Sequence, residues 1–122
     1  MIERDFYAPR FETMPLPEWK QYLTRKLRRF VRHAYQNAPA IKEWLDKAGV
    51  KPEHIKTLKD LAEVPPIRKP DIIERQQAAP PYGGFLGVPL EKVEYMAIST
   101  GPIYIPFLSS AYASSVTGHY AM

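Results

Sequence analysis

The sequence of 122 residues contains no cysteine and no long apolar run, and its last 28 residues contain no Asp, Glu, Lys or Arg. Without cysteine, a disulfide framework, a thiolate metal site and a cysteine nucleophile are all excluded. No segment offers the ~20 uninterrupted apolar residues of a membrane helix. The first residues carry mixed charge and no apolar run follows them, so the sequence predicts no secretory signal and a cytoplasmic protein.

The uncharged stretch from Tyr95 to Met122 is unusual, because a solvent-facing quarter of a chain normally carries several charges. Gly101, Pro102 and Pro106 interrupt it, which argues against a membrane helix. We therefore expect other protein to bury this stretch. The sequence is accordingly interpreted as truncated, or as one piece of an assembly.

The first 92 residues are predicted to form an arm and a helical region. Residues 1–17 hold three prolines without periodicity and are interpreted as an extended arm. In residues 18–92, apolar side chains recur every three or four positions from Glu18 to about Gln36, which is typical of an amphipathic helix. Further helices are predicted to start at Pro39, Pro52, Thr57 and Pro70.

Residues 93–122 are predicted to form a strand, a loop and the start of a helix. The strand runs over 93–99 and is expected to be buried, the loop covers 99–106, and Ser109 or Ser110 caps the helix. One strand cannot make a sheet, so the rest of the sheet is expected elsewhere. The fold class is α/β: several short helices, a strand, a phosphate-loop-like turn and a helix start, with an incomplete sheet.

The loop after the strand is a candidate phosphate site, because glycine and hydroxyl residues ahead of a helix can bind phosphate. It has one glycine, no lysine and two prolines that remove N–H donors. Composition alone therefore favours a tight turn between buried elements.

Two other features suggest binding less strongly. The first long helix has a basic face, which is either a patch for an acidic partner or a solvated helix surface; the solvated surface is favoured and nucleic acid is not expected. The face comprises Lys20, Arg25, Lys26, Arg28, Arg29 and Arg32. The three histidines lie far apart and indicate no metal site.

Three motifs give the sequence a family resemblance. They are HAYQNAP over 33–39, AGVKPEHIKTLKDLAEVPPIRKPDI over 48–72 and YGGFLGVPLEKV over 82–93. Together they resemble the N-terminal part of phenylacetate–CoA ligases and their aryl-CoA ligase relatives among the adenylate-forming enzymes. The family's phosphate loop usually reads Ser-Ser-Gly-Thr-Thr-Gly-Lys-Pro. Ser99, Thr100, Gly101 and Pro106 match it in type, whereas residues 102–105 replace a hydroxyl pair, a glycine and the lysine.

The resemblance implies an enzyme that adenylates a carboxylate with ATP and Mg²⁺ and then transfers the acyl group to coenzyme A. It assigns nucleotide contacts to Ser99, Thr100 and Gly101, and no catalytic or metal-binding residue to this chain. The adenine pocket, the metal-binding acid, the carboxylate pocket and the mobile C-terminal domain lie beyond Met122 in the family pattern. The isolated chain is therefore expected to be inactive.

The resemblance also implies a partner, namely the remainder of the ligase as a continuation or a separate subunit, with a homodimer as an alternative assembly. A second hypothesis remains open. The chain is then a non-catalytic helical interaction module, or a split subunit, that binds an acidic partner through its basic helix.

Overall fold

The computed structural model describes residues 6–112 of the chain. Four α-helices and a two-stranded sheet make up most of it: α1 Pro9–Glu12, α2 Leu16–Asn37, α3 Pro39–Lys47, α4 Lys69–Ala78, β1 Val93–Ser99 and β2 Ile103–Leu108. Short 3₁₀ helices occupy Pro52–His54, Leu58–Glu63 and Leu90–Lys92. The chain is thus mostly helical with one small sheet at its C-terminal side. No helix within residues 6–112 is long and apolar enough to cross a bilayer.

The helix starts follow the prolines and capping residues that the sequence indicated. Helix α3 begins at Pro39, where the missing N–H costs no helical hydrogen bond. The helical turn after Thr57 has a capping box, in which Asp60 Oδ2 accepts the Thr57 N–H at 2.7 Å. These predictions are confirmed, as is the long amphipathic helix, which begins two residues before the predicted Glu18.

The extended arm predicted over residues 1–17 is wrong in part, because α1 lies inside it. Pro9 fixes a helical φ at the first position of the turn. The Glu12 carboxylate accepts the backbone N–H of Ala8, and the Phe11 ring packs on Tyr22 of α2 with ring centroids 5.3 Å apart, so a local bond and a contact with α2 hold the four-residue turn. The division into an arm, a helical region and a strand–loop–helix unit stays a prediction.

The apolar core lies between α2, α3 and the segment that follows α3. Its buried members are Val31, Leu45, Val50 and Ile55. Partly buried side chains surround them: Leu27, Tyr35, Ile41, Ala48 and Val64. Because α3 has only nine residues and most helical stability in proteins comes from the packing of an apolar face, this shared core holds the helical region together.

The predicted loop over residues 99–106 is wrong, because Ile103–Leu108 forms β2, antiparallel to β1. The apolar and aromatic side chains of IYIPFL suit a strand, and Pro106 does not prevent it. The backbone groups of Tyr104 point away from β1, toward a side chain of α4. In an antiparallel ladder Pro106, two residues on, also points outward, so no bond to β1 is lost.

Residues 82–89 form a loop with three glycines, called the glycine loop below, which joins α4 to the helical core. The Ala40 N–H donates to the Gly84 carbonyl at 2.9 Å, and Tyr82 is buried beneath the loop. A Cβ at Gly83 would lie only 2.6 Å from the Arg75 backbone carbon, so α4 packs directly on the loop backbone. This packing fixes α4, which in turn positions the hairpin.

Candidate functional site

The turn between β1 and β2 carries the three residues predicted to contact nucleotide. Ser99 ends β1 opposite Ile103, and Thr100 to Pro102 make the connection. Thr100 and Gly101 are exposed. Gly101 has φ +110°, a conformation that L side chains rarely adopt. The turn therefore exposes Thr100 and Gly101, while Ser99 is half-buried.

The turn is shorter than the eight-residue loop that the sequence suggested. Pro106 pairs with Met96 inside the hairpin and is therefore separated from the turn. Of the four residues that match the family loop in type, only Ser99, Thr100 and Gly101 therefore lie at the turn. That these three residues contact the nucleotide stays a prediction.

Helix α4 holds the hairpin through a buried glutamine. Gln76 is 4% exposed; its Nε2 donates to the Tyr104 carbonyl at 3.0 Å and its Oε1 accepts the Tyr104 N–H at 2.9 Å. The side-chain amide thus bonds β2 as a neighbouring strand would. These bonds fix the turn relative to α4.

A lysine from α4 contacts the turn, and sequence reasoning missed it. Lys69 Nζ donates to the Thr100 carbonyl. Lys69 lies in the RKPDI part of a family motif, next to Pro70, where the sequence predicts a helix start, and the sequence analysis assigned no role to the lysine itself. Its 31-residue separation from Thr100 explains why no local pattern indicated the contact.

A helix begins directly after the hairpin, as the sequence predicted. Ser109 Oγ accepts the Tyr112 N–H at 3.2 Å, and residues 110–112 are helical. Ser109 is therefore the capping residue of the two candidates. Ser114, Ser115, Thr117 and His119 lie outside the described residues.

Within residues 6–112 no group of three His, Asp or Glu side chains is placed to hold a metal ion. His33 instead packs against the glycine loop, with its Nε2 2.7 Å from the Gly87 carbonyl and its Nδ1 3.2 Å from Asn37 Nδ2.

A surface groove of about 410 Å³ lies between the end of α3, Pro65 and Pro66, and the start of α4. Its lining is largely apolar and includes Trp44, whose indole N–H donates to the Pro65 carbonyl at 2.8 Å. Arg68 and Asp71 lie at its edge, at the N-terminus of α4. The Asp71 carboxylate accepts the Arg68 N–H there. This groove has the character of packing surface between short elements.

Comparison with known proteins identifies relatives of one kind. No family model matches the chain. Phenylacetate-coenzyme A ligase of Thermus thermophilus is 33% identical over 95 residues, which are 78% of this chain and 20% of the relative. The enzymes of the same name from Aromatoleum evansii and Escherichia coli are 40% identical over 76 residues and 32% identical over 90 residues. They cover 62% and 74% of this chain.

Solved structures agree with the sequence comparison. 2-Hydroxyisobutyryl-CoA ligase in the postadenylation state, in complex with 2-HIB-AMP, superposes on 88% of this chain with a TM-score of 0.78 and 29% identity. Its open conformation with 2-HIB-AMP and CoA gives a TM-score of 0.78 over 87% of the chain at 30% identity. The chain spans about one fifth of the curated relatives and about one quarter of these structures.

Proposed function

The chain belongs to the phenylacetate–CoA ligase family of adenylate-forming enzymes, and on this basis we propose that it is the N-terminal part of an ATP-dependent acyl-CoA ligase. The complete enzyme would adenylate a carboxylate and pass the acyl group to coenzyme A. The observation that carries the proposal is that most of the chain matches such ligases both in sequence, over 78% of the chain, and in backbone, over 88% of the chain. A cytoplasmic location stays a prediction.

We assign the nucleotide contact to the hairpin turn. The Ser99 and Thr100 hydroxyls and the backbone N–H groups of the turn can donate to phosphate oxygens. The exposure of Thr100 and Gly101 supports this assignment, because a ligand can reach them without displacing core residues. Adenine, ribose and acyl pockets are expected in the remainder of the ligase, so the isolated chain is proposed to be inactive.

The proposed partner is that remainder, as a continuation or a separate chain. Both faces of the hairpin expose large apolar side chains, as expected of strands that other protein covers on both sides. Tyr95 and Phe107 stack on one face, and Met96 and Ile98 lie on the other. Tyr95 is 60% exposed and Ile98 is 62% exposed. The prediction that β1 is buried is wrong for the described residues, because no residue of β1 is buried by them. We propose that the partner covers it.

The open edge of the sheet is the outer edge of β1. Gln76 already bonds both backbone groups of Tyr104 on the outer edge of β2. Within residues 6–112 no third strand joins the hairpin. We therefore propose that the sheet continues across β1, where backbone donors and acceptors remain available for a neighbouring strand.

The test uses the native polypeptide that carries this sequence, purified with whatever it assembles with. We expect carboxylate-dependent release of pyrophosphate from ATP and formation of an acyl-CoA thioester. Ser99→Ala together with Thr100→Val should weaken ATP binding about tenfold through lost hydrogen bonds. Ser110→Ala removes an exposed hydroxyl outside the turn and is the matched control.

The alternative function is a helical module that binds an acidic partner. It is favoured by the exposed basic residues along α2, namely Lys20, Arg25, Arg28, Arg29 and Arg32. No turnover with any of a panel of aromatic and aliphatic carboxylates, together with salt-sensitive capture of an acidic protein, would support it over the ligase. Unchanged ATP affinity in the turn variant would remove only the nucleotide assignment.

A further inference from the structure

Lys69 places a positive charge directly on the hairpin turn. Its ammonium donates to the Thr100 carbonyl, and a Cβ at Gly101 would lie 2.5 Å from Lys69 Nζ and 2.6 Å from its Cε. The side chain therefore lies across the backbone of Gly101, at the residues to which the nucleotide contact is assigned.

The position of this lysine is built into α4. Lys69 is the first residue of the helix, and Gln76 follows seven positions later. Residues seven apart lie on the same face of a helix. One face of α4 thus contacts the hairpin twice, through Lys69 at the turn and through Gln76 at Tyr104. Since Gln76 is buried and satisfied, the helix cannot rotate the lysine away without breaking those bonds.

The turn needs a charge that its own segment does not supply. No Lys or Arg occurs after Lys92, so hydroxyls and backbone amides are the only donors in the hairpin turn. The bond to Thr100 uses one of three ammonium protons and leaves two for an anion. None of the ion pairs within residues 6–112 involves Lys69, which is exposed. Its charge is thus not consumed by a carboxylate of the described region.

We propose that Lys69 binds the phosphate of the nucleotide at the Ser99–Gly101 turn and supplies, from α4, the cation that the turn itself lacks. This inference rests on the proposed function. It explains how a turn without lysine can bind a polyphosphate, since a charge-assisted hydrogen bond is about twice as strong as a neutral one.

The test is a titration of the ¹⁵N-labelled 122-residue chain, at a concentration at which sedimentation shows it to be monomeric, with inorganic pyrophosphate and separately with ATP, observed at the Thr100 and Gly101 amides. We expect saturable shifts with both ligands. Lys69→Met retains the aliphatic stem on Gly101 but removes the charge, and should weaken binding about tenfold or more. Lys69→Arg should restore most of the affinity, and Lys59→Ala, at an exposed lysine elsewhere, should match the wild type.

Folding is controlled in the same spectra, because a hairpin that has detached would move the Gln76 and Tyr104 signals. Absence of any shift at millimolar pyrophosphate, or equal affinity of Lys69→Met and wild type, would overturn the inference. If Ser99→Ala/Thr100→Val weakens ATP binding and Lys69→Met does not, the nucleotide assignment stands while the role of Lys69 falls. If Lys69 binds pyrophosphate and the native assembly forms no acyl-CoA, the proposed ligase function fails while the phosphate site stands.

Discussion

At the scale of single residues, Asp46 is where three elements are connected. Its carboxylate accepts the Tyr35 hydroxyl of α2 at 2.7 Å and Lys42 Nζ of α3 at 2.6 Å, and also pairs with Lys51. The bonds from Lys42, Lys51 and Tyr35 hold the pKa of Asp46 well below its usual range. Hydrogen bonds from Lys47 and Arg75 lower the pKa of Glu43 to about 2.

These carboxylates predict acid sensitivity. A group whose pKa is lower in the folded state stabilises the fold above its unfolded pKa, and this contribution is lost as the pH falls toward the folded value. We expect the urea midpoint to drop between about pH 5 and pH 2. Asp46→Asn should lower the midpoint at neutral pH and flatten the acid dependence. Glu53→Gln, an exposed carboxylate outside these ion pairs, is the control; an equal flattening there would contradict the explanation.

Gln76 predicts a large effect from a single polar side chain. Gln76→Ala removes both bonds to Tyr104 and leaves a buried gap, so we expect a loss of about 2 kcal/mol in the free energy of unfolding. Gln77→Ala changes the exposed neighbour on the same helix and should stay within about 0.5 kcal/mol of wild type. Urea unfolding measures both, and similar values for the two variants would show that the hairpin does not depend on this contact.

At the scale of elements, the contact between α4 and the glycine loop is backbone against backbone. Gly83 has φ +62° and no room for a Cβ, whereas Gly49 has φ +69° with nothing within 4 Å of its Cβ position. The two glycines therefore separate the conformational cost of a side chain from its steric cost.

Gly83→Ala should destabilise the chain more than Gly49→Ala does. Both variants force alanine into the left-handed region, at a cost of about 1 kcal/mol. Only Gly83→Ala also pushes α4 away from the loop, which adds about 1–3 kcal/mol. Thermal or urea unfolding of the pair gives the difference directly. Equal losses of unfolding free energy in the two variants would mean that α4 can shift away from the loop at no cost. The structure would then not hold Lys69 at a fixed position.

At the scale of the whole molecule, the apolar hairpin is exposed while the helical region has its own core. Without a partner, such a surface favours self-association and binding of apolar dyes. We expect the isolated chain to bind dye and to associate as its concentration rises. Tyr95→Thr together with Ile98→Thr should reduce both effects, because threonine preserves strand propensity while removing apolar area.

Phe30→Thr is the matched control, since Phe30 is 55% exposed on α2, outside the hairpin. It should leave dye binding and association nearly unchanged, as measured by fluorescence and sedimentation. A monomeric wild-type chain that binds no dye would contradict the proposal that other protein covers the hairpin.

The sequence by itself determined α2, α3, α4 and β1 and limited the cap of the last helix to Ser109 or Ser110, because prolines, capping residues and apolar periodicity act within a few positions. It also indicated the three turn residues and the family. It did not indicate α1. The second strand could not be derived from the local pattern, since a proline normally argues against a strand. Pro106 is compatible with β2 only because its backbone position faces away from β1.

Only the tertiary structure decided what surrounds the turn. The bond from Lys69 to Thr100 spans 31 positions and the bonds from Gln76 to Tyr104 span 28. Neither contact produces a periodicity or a motif, because each depends on how α4 packs against the glycine loop. The physical reason is that local preferences shape each element, whereas the geometry between distant elements follows from their joint packing.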